Sequence, residues 1–301
     1  MTAEVLFQRL RAALAGAGDA TIAASKSAYF KGVARMHGVK TPQIDALFAE
    51  HVRGALPSGG RTLALELSGA LLRSEWHEEK HAGVLVLHSQ RRSLLESVPG
   101  AIEIVSHVAA ALDDGGGAND WATCDDLCGR VLRPALESHP TAVAPLLHAW
   151  AGAQGSWRRR ASAVAFTGAV RRGDPHKLGP GLLSACAEAI RSGERFVQLG
   201  VGWALRELAS SGAPGMEAAV AEFLVAHSRL VTREGLRYAT EKMPAGLRGR
   251  LALESGQRRP GVLLMDPGAG AAAAAGGESG DLGADLGACS TVAKRRRKAQ
   301  R

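Results

Sequence analysis

The stretch WRRRASAV at residues 157–164 has a counterpart 39 residues further along the chain, FVQLGVGW at residues 196–203. Each stretch begins with an aromatic residue and continues with small and apolar residues at helical spacing. Trp76 and Trp121, 45 residues apart, begin helical patterns in the same way. A period of about 40 residues with two helices in each unit is typical of HEAT-like repeats. We therefore predict an all-α fold, a HEAT-like repeat solenoid in which helix pairs stack into a superhelix with a concave face.

The composition of the 301 residues also favours helices. Apolar residues make up 46% of the chain and aromatic residues only 4%, with Ala and Leu used heavily. A β-sandwich would need more Val, Ile, Tyr and Thr. The formal net charge is +8, of which residues 251–301 contribute only +3, so the first 250 residues are basic in their own right. This balance indicates polyanionic partners.

Cysteine usage and hydropathy indicate the compartment. Four cysteines in a chain of this length suggest no disulfide framework and suit a reducing compartment. Cys124 and Cys128 lie one helical turn apart, as in half of a metal site, but no second pair matches them, so we interpret them as core residues. The chain has no run of about 18 apolar residues and no recognisable signal peptide. We expect an intracellular protein that needs no membrane, metal or cofactor.

The composition changes near residue 250. Residues 266–290 are rich in Gly and Ala and cannot build a core, so we expect a flexible linker there. The chain then reaches a run of five basic residues from Lys294 to Lys298. Such a cluster is typical of a nuclear-localisation signal or a phosphate-binding tail, with a solvated tail as the alternative. We predict a HEAT-like domain at residues 1–250 and a disordered tail at residues 251–301, with nuclear localisation in a eukaryote and cytoplasmic localisation otherwise.

The stretch NDWATCDDL at residues 119–127 holds the candidate chemistry. It follows a glycine-rich loop, and either Asn119 or Asp120 can cap the next helix. At about 100° per residue, Trp121 and Asp125 lie about 40° apart at the edge of an apolar stripe. An indole beside a carboxylate can stabilise a cation. The plainer alternative is a half-buried Trp next to an exposed Asp.

A formal zinc motif occurs earlier, in HEEKH at residues 77–81. The pattern H-E-x-x-H places two histidines on one helix face, where they can bind zinc. A zinc peptidase holds this helix in a largely buried setting, yet two of the residues between the histidines, Glu79 and Lys80, are both charged here. No convincing third ligand follows. We interpret the motif as a chance occurrence on an exposed helix.

Later helices carry further aromatic and basic candidates. Trp203 projects roughly 150° from the centre of its helix's apolar stripe, so it either packs on the neighbouring repeat or lines the concave surface. Gly200 and Gly202 are expected to clear space beside it. Five arginines make a basic patch of the kind that contacts phosphates, or alternatively a solvated face: Arg158, Arg159, Arg160, Arg171 and Arg172.

Together these segments resemble the DNA alkylation repair glycosylases built from HEAT-like repeats, over about residues 21–245. The resemblance rests on four segments in the same order and at compatible distances: Tyr29 followed by GVKTP at residues 38–42, WATCD at 121–125, WRRRA at 157–161 and GWALRE at 202–207. It implies a monofunctional glycosylase that removes positively charged alkylated purines, chiefly N7-alkylguanine and N3-alkyladenine, from double-stranded DNA. It also implies that the concave face grips the backbone and that no base-reading pocket is needed.

The resemblance also implies roles for individual residues. Asp125 is the expected catalytic carboxylate, and Trp121, Trp203 and Tyr29 are expected to contact the deoxyribose and backbone at the lesion. Arg160 would hold a nearby phosphate. Three further arginines are candidate DNA contacts: Arg158, Arg159 and Arg206. The residue types suit the chemistry, because a cationic purine needs no general acid and a fixed carboxylate stabilises the oxocarbenium-like sugar more than the ground state.

The sequence departs from the pattern just before Trp121. Asp120 stands where an aromatic residue is expected, and the extra carboxylates Asp120 and Asp126 would repel DNA locally. Relatives of this kind include members that bind DNA without excising a base, so the alternative function is a non-catalytic solenoid that binds DNA or protein. The enzyme needs the carboxylate of Asp125, whereas the binding module should tolerate its amide. We expect a monomer in either case.

Overall fold

The computed structural model describes residues 1–30, 32–254 and 256, with the backbone alone at residues 58 and 59. These residues form α-helices joined by short turns, and the only strand-like feature among them is a single bridge between Arg35 and Trp76. The all-α prediction is confirmed, and successive helices pack against one another in a repeat-like array. The predicted linker and the basic cluster lie outside the described residues, so the tail and the boundary at residue 250 stay predictions.

The helices follow one another with short connections. The first part of the chain forms α1 (Ala3–Gly16), α2 (Ala20–Tyr29), α3 (Thr41–His51), α4 (Leu56–Leu72), α5 (His77–Leu94), α6 (Val98–Leu112), α7 (Trp121–Leu127) and α8 (Arg133–Ser138). The second part forms α9 (Pro140–Ala149), α10 (Ser156–Val164), α11 (Thr167–Arg172), α12 (Pro175–Ala189), α13 (Arg195–Ala209), α14 (Met216–Ala226), α15 (Arg233–Ala239) and α16 (Ala245–Glu254).

Capping residues determine where several helices begin. Of the two residues predicted to cap α7, Asp120 does so: its side chain accepts a hydrogen bond from the Thr123 N–H at 2.8 Å. Helix α3 begins without such a cap: its first residue is Thr41, and the preceding Lys40 makes no side-chain capping bond. The helix start is instead supported by Pro42, whose fixed φ suits the first turn.

Two prolines lie within α12, which begins at Pro175 and runs through Pro180. Asp174 caps this helix by accepting from the His176 N–H at 3.0 Å. A proline at the first position loses no helical hydrogen bond. Pro180 has no N–H group, so the carbonyl of His176 lacks its helical donor. That carbonyl lies in the first turn of α12.

The helix that carries Trp121 ends in an irregular turn. After α7 the chain forms one π turn, Cys128–Leu132, before α8. Pro134 in the first turn of α8 has no N–H for the carbonyl of Arg130. The Nδ1–H of His88 on α5 donates to that carbonyl at 3.2 Å. Cys124 and Cys128 are fully buried in the main apolar core, as predicted.

The beginning of α5 is buried, so the prediction of an exposed helix at HEEKH is wrong. Glu78 and Glu79 are 0% exposed and Lys80 is 2% exposed. Each charge has a partner from another element, which is how a folded protein tolerates buried charges. Glu79, for example, accepts two hydrogen bonds from Arg11 on α1, at 3.0 and 2.9 Å. Within the described residues, no group of three or more His, Cys, Asp or Glu side chains is arranged to hold a metal ion.

The two motifs GVKTP and HEEKH meet in the structure. The carboxylate of Glu78 accepts hydrogen bonds from the backbone N–H groups of His37, Gly38 and Val39, at 3.0, 2.9 and 3.2 Å. Gly38 has a φ of 86°, and a Cβ at this position would lie 2.0 Å from the carbonyl oxygen of Asp19. The loop from α2 to α3 therefore requires this glycine, and Glu78 holds the loop against α5.

Candidate functional site

An aromatic cavity opens where the end of α2 meets the beginnings of α7, α10 and α13. Its volume is about 330 Å³, and its walls are Tyr29, Phe30, Val33, Asp120, Trp121, Trp157, Arg195 and Phe196. Trp121 is the first residue of α7, and Trp157 and Phe196 are the second residues of α10 and α13. Equivalent positions of successive repeats thus bring their aromatic side chains to one cavity.

The rings in the cavity present both faces and edges. Trp121 stacks on Phe30, with ring centroids 5.3 Å apart and planes 10° apart. Tyr29 meets the indole edge-on at 5.7 Å and is 46% exposed. Trp157 and Phe196 lie 5.3 Å apart on the other wall. Aromatic faces attract cations, so this cavity suits a positively charged group.

Asp125, one turn beyond Trp121 on α7, forms a bidentate ion pair with Arg160 on α10. The Nε and Nη2 groups of Arg160 donate to Oδ1 and Oδ2 of Asp125, both at 2.8 Å. Nη1 donates to the carbonyl of Phe196 at 2.6 Å, which connects the pair to the cavity wall. The Asp125 side chain is 15% exposed and that of Arg160 is 4% exposed. The alternative of an exposed Asp is therefore wrong, although Trp121 is half-buried as expected.

The electrostatics of this pair set the state of the carboxylate. Burial raises the pKa of Asp125, while the charge and hydrogen bonds of Arg160 oppose that rise. Burial also disfavours the charge of Arg160, but Asp125 outweighs this effect and raises the pKa of the guanidinium. An arginine that stays charged favours the ionised form of its bidentate partner. Each carboxylate oxygen also has a second lone pair, so the edge turned away from Arg160 can face a cation or a water molecule.

The carboxylates on either side of Asp125 are compensated within the protein. Asp120 is 1% exposed, caps α7 and lies 3.7 Å from Nζ of Lys80. Asp126 forms ion pairs with His81, at 2.8 Å, and with Arg130. Because both charges are paired, the structure does not support the expected repulsion of DNA by Asp120 and Asp126.

Trp203 lies apart from the aromatic cavity. Its indole is half-buried and packs against the main core, which does not decide between the two expected alternatives. The prediction that Gly200 and Gly202 clear space for it is wrong. A Cβ at Gly200 would lie 2.9 Å from Cγ of Arg160, and one at Gly202 would lie 2.7 Å from the carbonyl oxygen of Gly235. These glycines admit the neighbouring helices instead.

The three consecutive arginines of α10 occupy different environments, because successive helical residues point about 100° apart. Arg160 points inward to Asp125. Arg158 donates to Asp113 at 2.9 Å. Arg159 is half-exposed, and in the described part of the chain its guanidinium forms no ion pair. They do not form one patch, and their contacts with DNA stay predictions.

Arg206 on α13 is similarly engaged. Its guanidinium lies 4.7 Å from the ring centroid of Tyr238 and pairs with Glu207 at 3.0 Å and with Glu241. The side chain is 14% exposed. Burial raises the pKa of Tyr238, and the charge of Arg206 opposes that rise. The predicted DNA contact of Arg206 also stays a prediction.

The chain is similar to known proteins. The model of a family described as DNA alkylation repair enzyme matches residues 10–243. The chain belongs to the DNA alkylation repair enzyme family. A solved structure described as a predicted DNA alkylation repair enzyme from Enterococcus faecalis has a similar fold, with a TM-score of 0.61 and 18% identity over 76% of this chain and 97% of that chain. No curated protein sequence matches the chain.

The family resemblance drawn from four short segments is thereby confirmed, and a role in DNA repair follows from membership. No helix in the described part of this family member is long and apolar enough to cross a membrane. Six cavity residues were not among the predicted site residues: Phe30, Val33, Asp120, Trp157, Arg195 and Phe196. The sequence did contain a signal for two of them, since Trp157 and Phe196 begin the repeated segments.

Proposed function

We propose that this member of the DNA alkylation repair enzyme family is a monofunctional DNA glycosylase acting on duplex DNA. Its substrates would be cationic alkylated purines, N7-alkylguanine and N3-alkyladenine, and its reaction the hydrolysis of the N-glycosidic bond. The observation that carries this proposal is the buried, bidentate Asp125–Arg160 pair, which a further hydrogen bond of Arg160 connects to Phe196 in the wall of the aromatic cavity.

The chemistry needs no cofactor. The bond between C1′ and the purine nitrogen breaks, and its electron pair neutralises the positive charge of the departing base. The sugar becomes an oxocarbenium-like cation, which the carboxylate of Asp125 stabilises more strongly than it stabilises the neutral ground-state sugar. Water then adds to C1′, and Asp125 can orient this water and accept its proton. The product is an abasic site.

In this reaction the role of Arg160 is to orient the carboxylate of Asp125, not to stabilise the sugar cation. Its own charge weakens the attraction of Asp125 for a cation, but its two hydrogen bonds to Asp125 hold the carboxylate in one orientation and favour its ionised form. Its third hydrogen bond, to the carbonyl of Phe196, fixes the guanidinium itself. Stabilisation by groups that are already oriented requires no reorganisation during the reaction. The pair therefore suits a preorganised site.

The DNA contacts are proposed from charge and exposure. The basic first 250 residues suit a phosphate backbone. Tyr29 and Arg159 are accessible to a DNA backbone. Arg158, Arg160 and Arg206 are paired with carboxylates and would contact phosphates through the N–H groups that are not used in those pairs. Trp121 would contact the deoxyribose. Trp203 is retained as a candidate contact on α13, and we propose that the protein acts on DNA as a monomer.

Single-turnover release of 7-methylguanine from duplex DNA tests this function. We expect the wild type to excise the base and Asp125→Asn to lose a factor of about 10²–10³ in rate, the range seen when one preorganised electrostatic group is removed. Both proteins should bind duplex DNA with an abasic-site analogue equally well. Asp174→Asn is a matched control, because an Asn at the start of α12 still caps the helix.

One outcome would contradict the enzyme and support the alternative function. If the wild type binds the duplex but releases neither 7-methylguanine nor 3-methyladenine above the spontaneous rate, the protein is a DNA-binding solenoid without glycosylase activity.

A further inference from the structure

The first two turns of α5 face the helix that carries Trp121 and Asp125. The ring of His77 packs against Phe30, which lines the cavity, at a centroid distance of 4.8 Å. Lys80 donates to Oδ1 of Asn119 at 2.6 Å, just before α7 begins. His81 contacts Asp126 on α7 itself. The polar residues of HEEKH thus support the site without belonging to it.

Among the residues of HEEKH, His81 contacts the residue next to Asp125 in the sequence. Its Nδ1 lies 2.8 Å from Oδ2 of Asp126, the residue that follows Asp125, and its Nε2 lies 3.8 Å from Oδ1 of Asp45 on α3. The side chain is 12% exposed. The charged and titratable groups around it are Asp126 and Arg130 from α7 and the turn after it, Asp45 from α3, and His77 on its own helix.

We propose that protonated His81 is a positioning residue for base excision: by holding Asp126 it fixes the orientation in which α7 presents Asp125. This inference rests on the proposed glycosylase function. His81 does not touch the substrate, and its effect passes through Asp126 and the backbone of α7.

The construction of α7 explains why such a support matters. The helix has only seven residues and continues into a π turn, so its own hydrogen bonds do little to fix its orientation. Tertiary contacts from α5 on one side and α10 on the other must do so. A misplacement of roughly 1 Å can cost about 10²-fold in rate. The charge of Asp126, if left uncompensated, would also raise the pKa of Asp125 further.

The protonation state of His81 fits this role at neutral pH. Burial lowers the pKa of the imidazole, but the carboxylates of Asp126 and Asp45 outweigh burial and raise the pKa to about 9. Because the folded-state pKa lies above the unfolded value of about 6.5, the contribution of this charge is complete below about pH 6.5. It is lost as the pH rises through about 9.

The test compares wild type and His81→Gln in single-turnover excision of 7-methylguanine between pH 6.5 and 10. At pH 7 we expect His81→Gln to be slower by about tenfold, a smaller loss than a full 1 Å misplacement causes. The ratio of the two rates should fall towards one above about pH 9, where the wild type loses the same charge. Both proteins act on one duplex, so titration of the substrate cancels in the ratio. The Kd for abasic-analogue duplex should be unchanged.

His88→Gln is the matched control, because His88 lies two turns further along α5 and contacts the turn after α7 through the carbonyl of Arg130. Its rate should follow the wild-type pH profile. Asp126→Asn provides a second variant if His81→Gln does not fold, and it should also be slower than the wild type, because it removes the same contact, but by less than His81→Gln, because it leaves no uncompensated charge beside Asp125. Combining His81→Gln with Asp126→Asn should add nothing to the loss in Asp126→Asn, since both remove one interaction.

The outcomes separate this inference from the proposed function. If the wild type excises the base and His81→Gln excises it equally fast, His81 is not a positioning residue and the glycosylase stands. A rate loss that is the same at pH 7 and pH 10, or that is matched by weaker DNA binding, assigns His81 a merely structural role and overturns the inference. If the wild type excises no base, the proposed function fails and the inference fails with it.

Discussion

The two sides of α7 hold acidic side chains in different ways. Towards α5, Asp120 and Lys80 form a closed pair, with side chains 0% and 2% exposed. Towards α10, Asp125 is held by Arg160 but retains an exposed fraction of 15%. Carboxylates only a few residues apart therefore serve different purposes. The α5 side fixes the helix, and the α10 side presents a carboxylate.

Adjacent residues on this helix differ even in the direction of their pKa shifts. Burial raises the pKa of both Asp125 and Asp126. At Asp126, the contacts with His81 and Arg130 outweigh burial and lower the pKa below its ordinary value. At Asp125, Arg160 offsets burial only in part. Environments that separate the pKa values of neighbouring groups are typical of sites where the groups have separate roles.

The largest expected effect comes from breaking the closed side. Lys80→Met removes the cation beside the buried carboxylate of Asp120, so the free energy of unfolding should fall by about 3 kcal/mol, as when one partner of a buried pair is removed. Urea unfolding measures this change. Lys80→Met combined with Asp120→Asn should recover part of the loss, because Asn still caps α7 and carries no charge.

Lys177→Met is the control for that experiment. Lys177 is 84% exposed and lies 3.9 Å from Asp174. Exposed pairs contribute between zero and about 1 kcal/mol, so this variant should unfold almost as the wild type does. Equal, small losses in Lys80→Met and Lys177→Met would show that the α5 side does not fix the helix.

An intermediate effect is expected on the open side, from Arg160→Lys. A lysine keeps the charge but cannot form the bidentate pair. The effect of burial on Asp125 is then opposed less strongly, so the pKa of Asp125 should rise further. The reaction needs the carboxylate, which is lost as the pH falls through its pKa. The acid limb of the excision rate should therefore move to higher pH, with a loss of about tenfold at pH 7.

Single-turnover rates between pH 5 and 8, corrected for spontaneous base loss, measure this limb. Arg158→Lys is the control, since Arg158 pairs with Asp113 rather than with Asp125. An unchanged acid limb in Arg160→Lys would mean that Arg160 does not control the ionisation of Asp125.

The smallest effect should come from displacing Arg160 without replacing it. In Gly200→Ala the new Cβ would lie 2.9 Å from Cγ of Arg160 and 3.2 Å from a methyl group of Val164, so Arg160 must shift slightly. We expect an excision rate lower by about threefold, since the displacement is a fraction of 1 Å. Gly246→Ala has nothing within 4 Å of an added Cβ and should keep the wild-type rate. Equal rates in the two variants would show that the position of Arg160 is not critical.

Local sequence patterns predicted much of the molecule. Helical spacing predicted the all-α fold, the burial of Cys124 and Cys128, and a common helix for Trp121 and Asp125. These features depend on residues within a few turns of one another. Repeat spacing predicted equivalent helix starts at Trp121, Trp157 and Phe196, but their convergence on one cavity was not evident before the helices were packed.

What the sequence by itself determined is therefore the helices, their repetition and the four segments that show the family. The tertiary structure alone decided which charged and aromatic groups meet. Arg160 and Asp125 are 35 residues apart, Lys80 and Asn119 are 39 apart, and Glu78 and Gly38 are 40 apart. Each of these contacts joins residues about one repeat apart, and periodicity along a single helix carries no information about such partners. For that reason the charged turn at HEEKH was predicted to be exposed, although packed neighbours bury it and pair every charge.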